Sequence, residues 1–121
     1  MYGSVYRIRP KAGKEQEIIG LMEEWERERR PKVKGAVGGM MFKLDNGGLM
    51  GVAVFDSKES YRANAGDPEQ DAFYQRWRAL MDADPEWNDG EVISGWGLYI
   101  AITRGARRAS PQFDTILVPA G

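Results

Sequence analysis

The chain has 121 residues, 17 basic against 18 acidic, with no histidine and no cysteine. This length suits one domain that buries roughly two thirds of its unfolded surface without staples, and the balanced charge offers no field to recruit nucleic acid or an anionic membrane. Without histidine or cysteine the usual neutral-pH proton shuttle, the commonest metal ligands and any disulfide framework are excluded, which fits a reducing compartment such as the cytoplasm and a small or neutral partner.

The N-terminus places Arg7 where a secretion signal needs an apolar run, and no stretch approaches about 20 apolar residues, so neither leader nor membrane span is expected. From Gly3 to Arg9 the residues alternate, with Ser4, Tyr6 and Ile8 on one side and Val5, Arg7 and Arg9 on the other. That is the pattern of a strand with one face towards a core or pocket. Pro10 ends it, and Gly13 turns the chain into a helix in which Ile18, Met22 and Trp25, with Ile19 and Leu21 beside them, form the apolar stripe. On its polar face Glu23 with Arg27, and Glu26 with Arg30, stand in the favourable i,i+4 order, each pair worth a few tenths of a kcal/mol. Pro31 stops the helix and Gly35 marks the turn out.

Val37–Leu44 reads as a strand with Gly38, Met40, Phe42 and Leu44 on one face. Asp45-Asn46-Gly47-Gly48 supplies residues tolerant of positive φ, and the apolar run Leu49–Phe55 completes a hairpin. Gly38, Gly39 and Gly51 leave gaps where a sheet normally packs side chains, which implies a bulge, a close backbone approach or space for a ligand. Asp56 with Glu59 reads as a capping box, and Asp67-Pro68-Glu69-Gln70 as a cap, a first-turn proline and a reciprocal glutamine, so the second helical region breaks near Gly66. Beyond the break Phe73, Trp77, Leu80 and Met81 form a stripe, with Arg76 and Arg78 off it. Asp84-Pro85 is expected to end the helix, Trp87-Asn88-Asp89-Gly90 to form a tight turn, and Glu91–Trp96 to supply the fourth strand. The resulting order, β-α-β-β-α-β, is an α+β ferredoxin-like repeat with an antiparallel sheet over residues 1–96. Residues 97–121, with two apolar stretches around Arg104–Arg108, form a C-terminal extension expected to pack on the domain or on a partner subunit.

The Tyr2-Gly3-Ser4-Val5-Tyr6-Arg7 strand, the Lys11-Ala12-Gly13-Lys14-Glu15 lead into a helix, and Phe55-Asp56-Ser57-Lys58-Glu59-Ser60-Tyr61 running to Asp67-Pro68-Glu69-Gln70 resemble the dimeric α+β barrel superfamily. The nearest likeness is to the antibiotic-biosynthesis monooxygenase-like domains. The resemblance spans residues 2–96. It implies two ferredoxin-like subunits facing their sheets to form a barrel, as a homodimer or higher homo-oligomer, each subunit keeping a pocket between sheet and helices. The architecture hosts several chemistries, so it does not by itself name a reaction. Haem-degrading members of the group use a helix histidine that this chain lacks, so haem would need an atypical ligand such as Tyr61 or Tyr74. The quinone-forming oxygenases of the group need no metal or organic cofactor, because an electron-rich phenolic substrate reduces dioxygen itself once its anion is stabilised.

Those oxygenases carry asparagine, tryptophan and tyrosine in the pocket, and by residue type the resemblance points here to Asn64 and Tyr61 as catalytic groups. Asn64 and Tyr61 would steady the developing charge, and Tyr6, Tyr74 and Trp77 would bind a small apolar or aromatic substrate. Plainer roles compete: Trp25 and Trp77 as core, Trp87 sealing a turn, Asn64 terminating a helix. A calcium loop starting at Asp82 would need glycine where Trp87 stands, so a cap by Asp84 is preferred to a metal. The function expected is thus a ligand-binding α+β barrel protein with cofactor-independent monooxygenase chemistry as the enzymatic option. The alternative is a non-catalytic ligand-binding or oligomerisation module.

Overall fold

The computed structural model describes residues 1–96. The elements below belong to the compact unit Met1–Gly90, with the last residue of the fourth strand just beyond it. The expected extension over 97–121 lies outside the described residues. In chain order the elements are β1 (Tyr2–Ile8), α1 (Glu15–Glu24), a π-helical turn (Trp25–Arg29), a 3-10 turn (Arg30–Lys32), β2 (Ala36–Lys43), β3 (Leu49–Phe55), α2 (Lys58–Ala65), α3 (Pro68–Arg78) and β4 (Glu86–Glu91). The strands form one sheet in the order β2-β3-β1-β4, with β1 and β2 both antiparallel to β3. The α+β ferredoxin-like class expected from the sequence is the class observed.

Register sorts the sheet into two faces. Tyr2, Ser4, Tyr6 and Ile8 stand opposite Phe55, Ala53, Gly51 and Leu49, and the same rows continue to Ala36, Gly39, Met41 and Lys43. This face packs on the helices. Tyr6, Ile8, Leu49 and Met81 join Ile18 of α1 in one buried cluster, with Met41, Ala53, Trp77 and Leu80 against it. Rows of the other face are Gly3-Val54-Gly38, Val5-Val52-Met40 and Arg7-Met50-Phe42. Val5 at 44% and Phe42 at 52% exposure show that the described residues leave this apolar surface uncovered.

Local devices follow the sequence closely in some places and depart from it in others. The hairpin turn closes through the Gly47 N–H on the Leu44 carbonyl (3.0 Å), and within it Gly47 and Gly48, not Asp45 or Asn46, take positive φ, 98° and 84°. A register shift between Ala36 and Gly38 leaves Val37 bulged, and a Cβ on Gly51 would meet the Tyr6 ring at 2.5 Å, so that glycine makes room for a phenol. The cap of α2 is Ser57, whose hydroxyl accepts from the Ser60 N–H at 3.1 Å, so Asp56 is not the cap. Asp67 caps α3 through the Glu69 N–H at 2.9 Å, as expected, but Gln70 does not reciprocate, because its side-chain oxygen accepts from Trp25.

Three further expectations are corrected. The first helix does not stop cleanly at Pro31: it widens into the π turn, and a 3-10 turn carries Arg30-Pro31-Lys32. The wider turn alters the i,i+4 register, and neither Glu23–Arg27 nor Glu26–Arg30 is an ion pair among the described residues. Instead Glu24 holds Arg76 at 2.6 and 3.0 Å, and Arg29 holds Asp67 and Glu69. Next, α3 ends at Arg78, well before Pro85, since the chain turns to bond back to the segment that follows β1: Lys11 donates to the Leu80 carbonyl (2.8 Å) and Asp82 to that of Arg9 (2.9 Å). Asp84 takes the Arg78 guanidinium at 2.6 Å in place of a helix cap. Finally, the segment read as a tight turn is β4 itself, while residues 92–96 take no regular structure. Its polar, turn-like composition suits an exposed sheet edge, and Trp87 does not seal a turn but lies on the Tyr6 ring at 4.9 Å.

Candidate functional site

Between the helix-covered sheet face and the helices lies a cleft of ≈ 920 Å³. Its walls come from every layer because the sequence leaves small residues where rings must fit. Gly39 and Ala53 floor it, Tyr6 rises from β1, Tyr61 and Asn64 descend from α2, and Tyr74 and Trp77 from α3. All five expected site residues, Asn64, Tyr61, Tyr6, Tyr74 and Trp77, therefore line one cavity. The volume is within the range of small-molecule sites, and a lining rich in aromatic groups with few polar atoms is their usual character.

The rings are ordered by mutual contacts. Tyr6 meets Trp77 edge-on at 6.0 Å and Trp87 at a tilt at 4.9 Å, while Tyr74 lies tilted to Trp87 at 6.4 Å. At the other end Tyr61 is wedged between Tyr2 (5.3 Å) and Phe55 (5.5 Å), both in T-shaped contact. Such pairs add roughly 0.5–1.5 kcal/mol beyond burial and keep each ring plane fixed.

Polar groups are few and specific. The Asn64 Oδ1 and Trp77 Nε1 atoms are buried without a hydrogen-bond partner among the described residues, as is Ser4 Oγ. An orphaned buried polar atom costs about 1–3 kcal/mol, which a group able to reach and bond it would recover. Burial pushes the Tyr6 phenol up to about 12, with the neighbouring Tyr61 adding to the shift. Tyr61 is likewise pushed up to about 12, first by burial and then by the Asp89 carboxylate, to which its hydroxyl donates at 2.8 Å. Tyr74 is raised by burial and by Asp84. At neutral pH these phenols are therefore hydrogen-bond donors and not bases.

The sequence reading missed the roof and one carboxylate. Trp25, taken as core, lines the cleft and donates through Nε1 to Gln70 Oε1 at 2.9 Å, and Arg29, 11% exposed in its side chain, ties Asp67, Glu69 and Gln70 together beside it. The π turn sets Trp25 in this position, and no periodicity signal marks such a turn. Asp89, read as part of a tight turn, lines the cleft from β4. Among the described residues no group of three or more His, Cys, Asp and Glu side chains is placed to hold a metal ion, and no helix is long and apolar enough to cross a membrane.

No protein-family model matches the sequence, and no curated protein matches it. Solved structures do match. A Chloroflexus aurantiacus protein described as an antibiotic biosynthesis monooxygenase superposes with a TM-score of 0.65 at 21% identity, covering 79% of this chain and 96% of that one. SnoaB, a cofactor-independent oxygenase from Streptomyces nogalater determined as an asparagine-to-alanine variant, gives 0.64 at 15% identity over 78% and 94%. A Nitrosomonas europaea protein of unknown function gives 0.66 at 13% over 78% and 91%. The expected resemblance is borne out in architecture: this chain has the ferredoxin-like α+β fold of the antibiotic biosynthesis monooxygenase structures.

Proposed function

We propose that the cleft binds a small, planar, largely apolar molecule and that the protein is a cofactor-independent monooxygenase acting on an electron-rich phenol. The observation that carries this is the ≈ 920 Å³ aromatic cavity with Asn64 Oδ1 buried in its wall and unbonded. A phenolic O–H of the substrate satisfies that oxygen, and the amide's N–H group is at hand for the oxyanion once the proton is gone. Tyr61, its one O–H given to Asp89, bounds the charged end of the site, while Tyr6, Tyr74 and Trp77 hold the ring plane. The substrate anion then gives an electron to dioxygen, the radical pair joins as a C–O bond, and loss of water leaves one oxygen atom in the product carbonyl. The likeness in fold to a cofactor-independent oxygenase supports this assignment.

Oxygen uptake with a panel of anthrone- and naphthol-like phenols tests it. Asn64→Ala is expected to slow turnover by about 100-fold, the usual loss when one oxyanion donor is removed. Equal rates in both proteins would remove Asn64 from the mechanism. A second reading, a non-catalytic ligand-binding or assembly module, is favoured by the uncovered apolar sheet face around Val5, Met40, Phe42 and Val52. In either case that face is proposed to be closed by a second copy, giving a homodimeric barrel.

A further inference from the structure

The oxygenase scheme needs a base, and nothing so far assigned supplies one. The chain has no histidine, and the cleft phenols keep their protons far above neutral pH. Four carboxylates line the cleft: Glu23, Glu26, Asp71 and Asp89. Glu23 and Glu26 lie exposed on the first helical segment, and Asp71 accepts from Gln75 at 3.4 Å one turn along its own helix. Asp89 is exposed too, but among the described residues it alone of the four bonds a cleft phenol. Its Oδ1 receives the Tyr61 hydroxyl, which comes from α2, at 2.8 Å. Two residues earlier on the same strand, Trp87 packs against Tyr6 and Tyr74. A ring lying on that aromatic surface therefore meets the carboxylate at its edge. Among the described residues Asp89 Oδ2 accepts no hydrogen bond.

We infer that Asp89 is the general base of this site, held by Tyr61 so that its second oxygen removes the acidic proton of a bound carbon acid or phenol. The inference rests on the oxygenase reading for its substrate class. In the step, the substrate C–H or O–H bond breaks, the proton passes to Asp89, and the electron pair stays on the substrate as a delocalised enolate or phenolate facing Asn64. No oxidant takes part until dioxygen meets that anion. A carboxylate suffices for such a transfer when donors stabilise the anion, as the aspartate base of ketosteroid isomerase illustrates in another protein.

Proton removal is separable from oxidation by working without oxygen. Anthrone is incubated anaerobically in deuterium oxide with the full-length protein, and deuterium entering its methylene carbon is followed by mass spectrometry, with binding measured by equilibrium dialysis. The wild type is expected to accelerate exchange over buffer. Asp89→Asn is expected to bind anthrone yet lose about 100-fold or more of the exchange rate, the range of general-base contributions. Asp89→Glu should recover part of that rate, and Tyr61→Phe, which keeps the carboxylate but frees it, should fall between. Exchange by Asp89→Asn as fast as by the wild type, or no exchange by the wild type, overturns the inference. If oxygen uptake depends on Asn64 but not on Asp89, the oxygenase reading stands and the base assignment fails. If exchange depends on Asp89 but no phenol consumes oxygen, the assignment stands and the oxygenase reading fails.

Discussion

A methyl group at Gly51 would lie 2.5 Å from the Tyr6 ring, in a row where the two residues face each other across the β1–β3 ladder. Gly51→Ala is therefore expected to cost about 1–3 kcal/mol by overpacking, seen as a lower denaturant midpoint. Gly20→Ala, in α1 with nothing within 4 Å of the added carbon, should instead stabilise by about 0.5–1 kcal/mol. The phenols make a pH prediction. Tyr6 and Tyr61 titrate near 10 when unfolded and at about 12 in the fold. Between those values the native state binds more protons, so stability falls as pH rises from about 10 to 12. Alkaline unfolding monitored with phenolate absorbance should show this, and Tyr6→Phe should make the loss shallower. The sequence marked Gly51 as unusual but left three causes open. The ring that decides among them stands on another strand, and only the fold brings it near.

At the scale of elements, Ser57→Ala is expected to destabilise by about 1 kcal/mol through loss of the α2 cap, whereas Asp56→Ala leaves the cap intact and should cost clearly less; thermal melts of the two variants decide between serine and aspartate. Strands β1 and β3 were legible because one face is buried and alternation records it. The break at Gly66 and the Asp67-Pro68 start were legible because caps are local chemistry. What escaped was set by distant partners. Glu24 pairs with Arg76 of another helix instead of a neighbour on its own, and the end of α3 is fixed by bonds to the Arg9 and Lys11 backbone. β4 has the composition of a turn and becomes a strand because Asn88 donates to the Val5 carbonyl at 3.1 Å and Trp87 finds Tyr6.

For the whole molecule, the few fully buried apolar side chains among the described residues and their bare Val5–Met40–Phe42 surface lead to the expectation of a dimer. Phe42→Asp should shift sedimentation equilibrium towards monomer, while a wild-type chain that stays monomeric at high concentration would sink the barrel proposal. The class of fold was readable from element order alone, and the residue types of the cavity from its likeness to known domains. Asp89 and Trp25 were not readable, since a strand edge and a π turn place them. One feature has practical weight. Three of the chain's four tryptophans, Trp25, Trp77 and Trp87, line the cleft, so the indole fluorescence of the unlabelled protein comes largely from the cavity walls. Occupancy by any quenching or energy-accepting aromatic compound can thus be followed optically in solution, before a substrate is known.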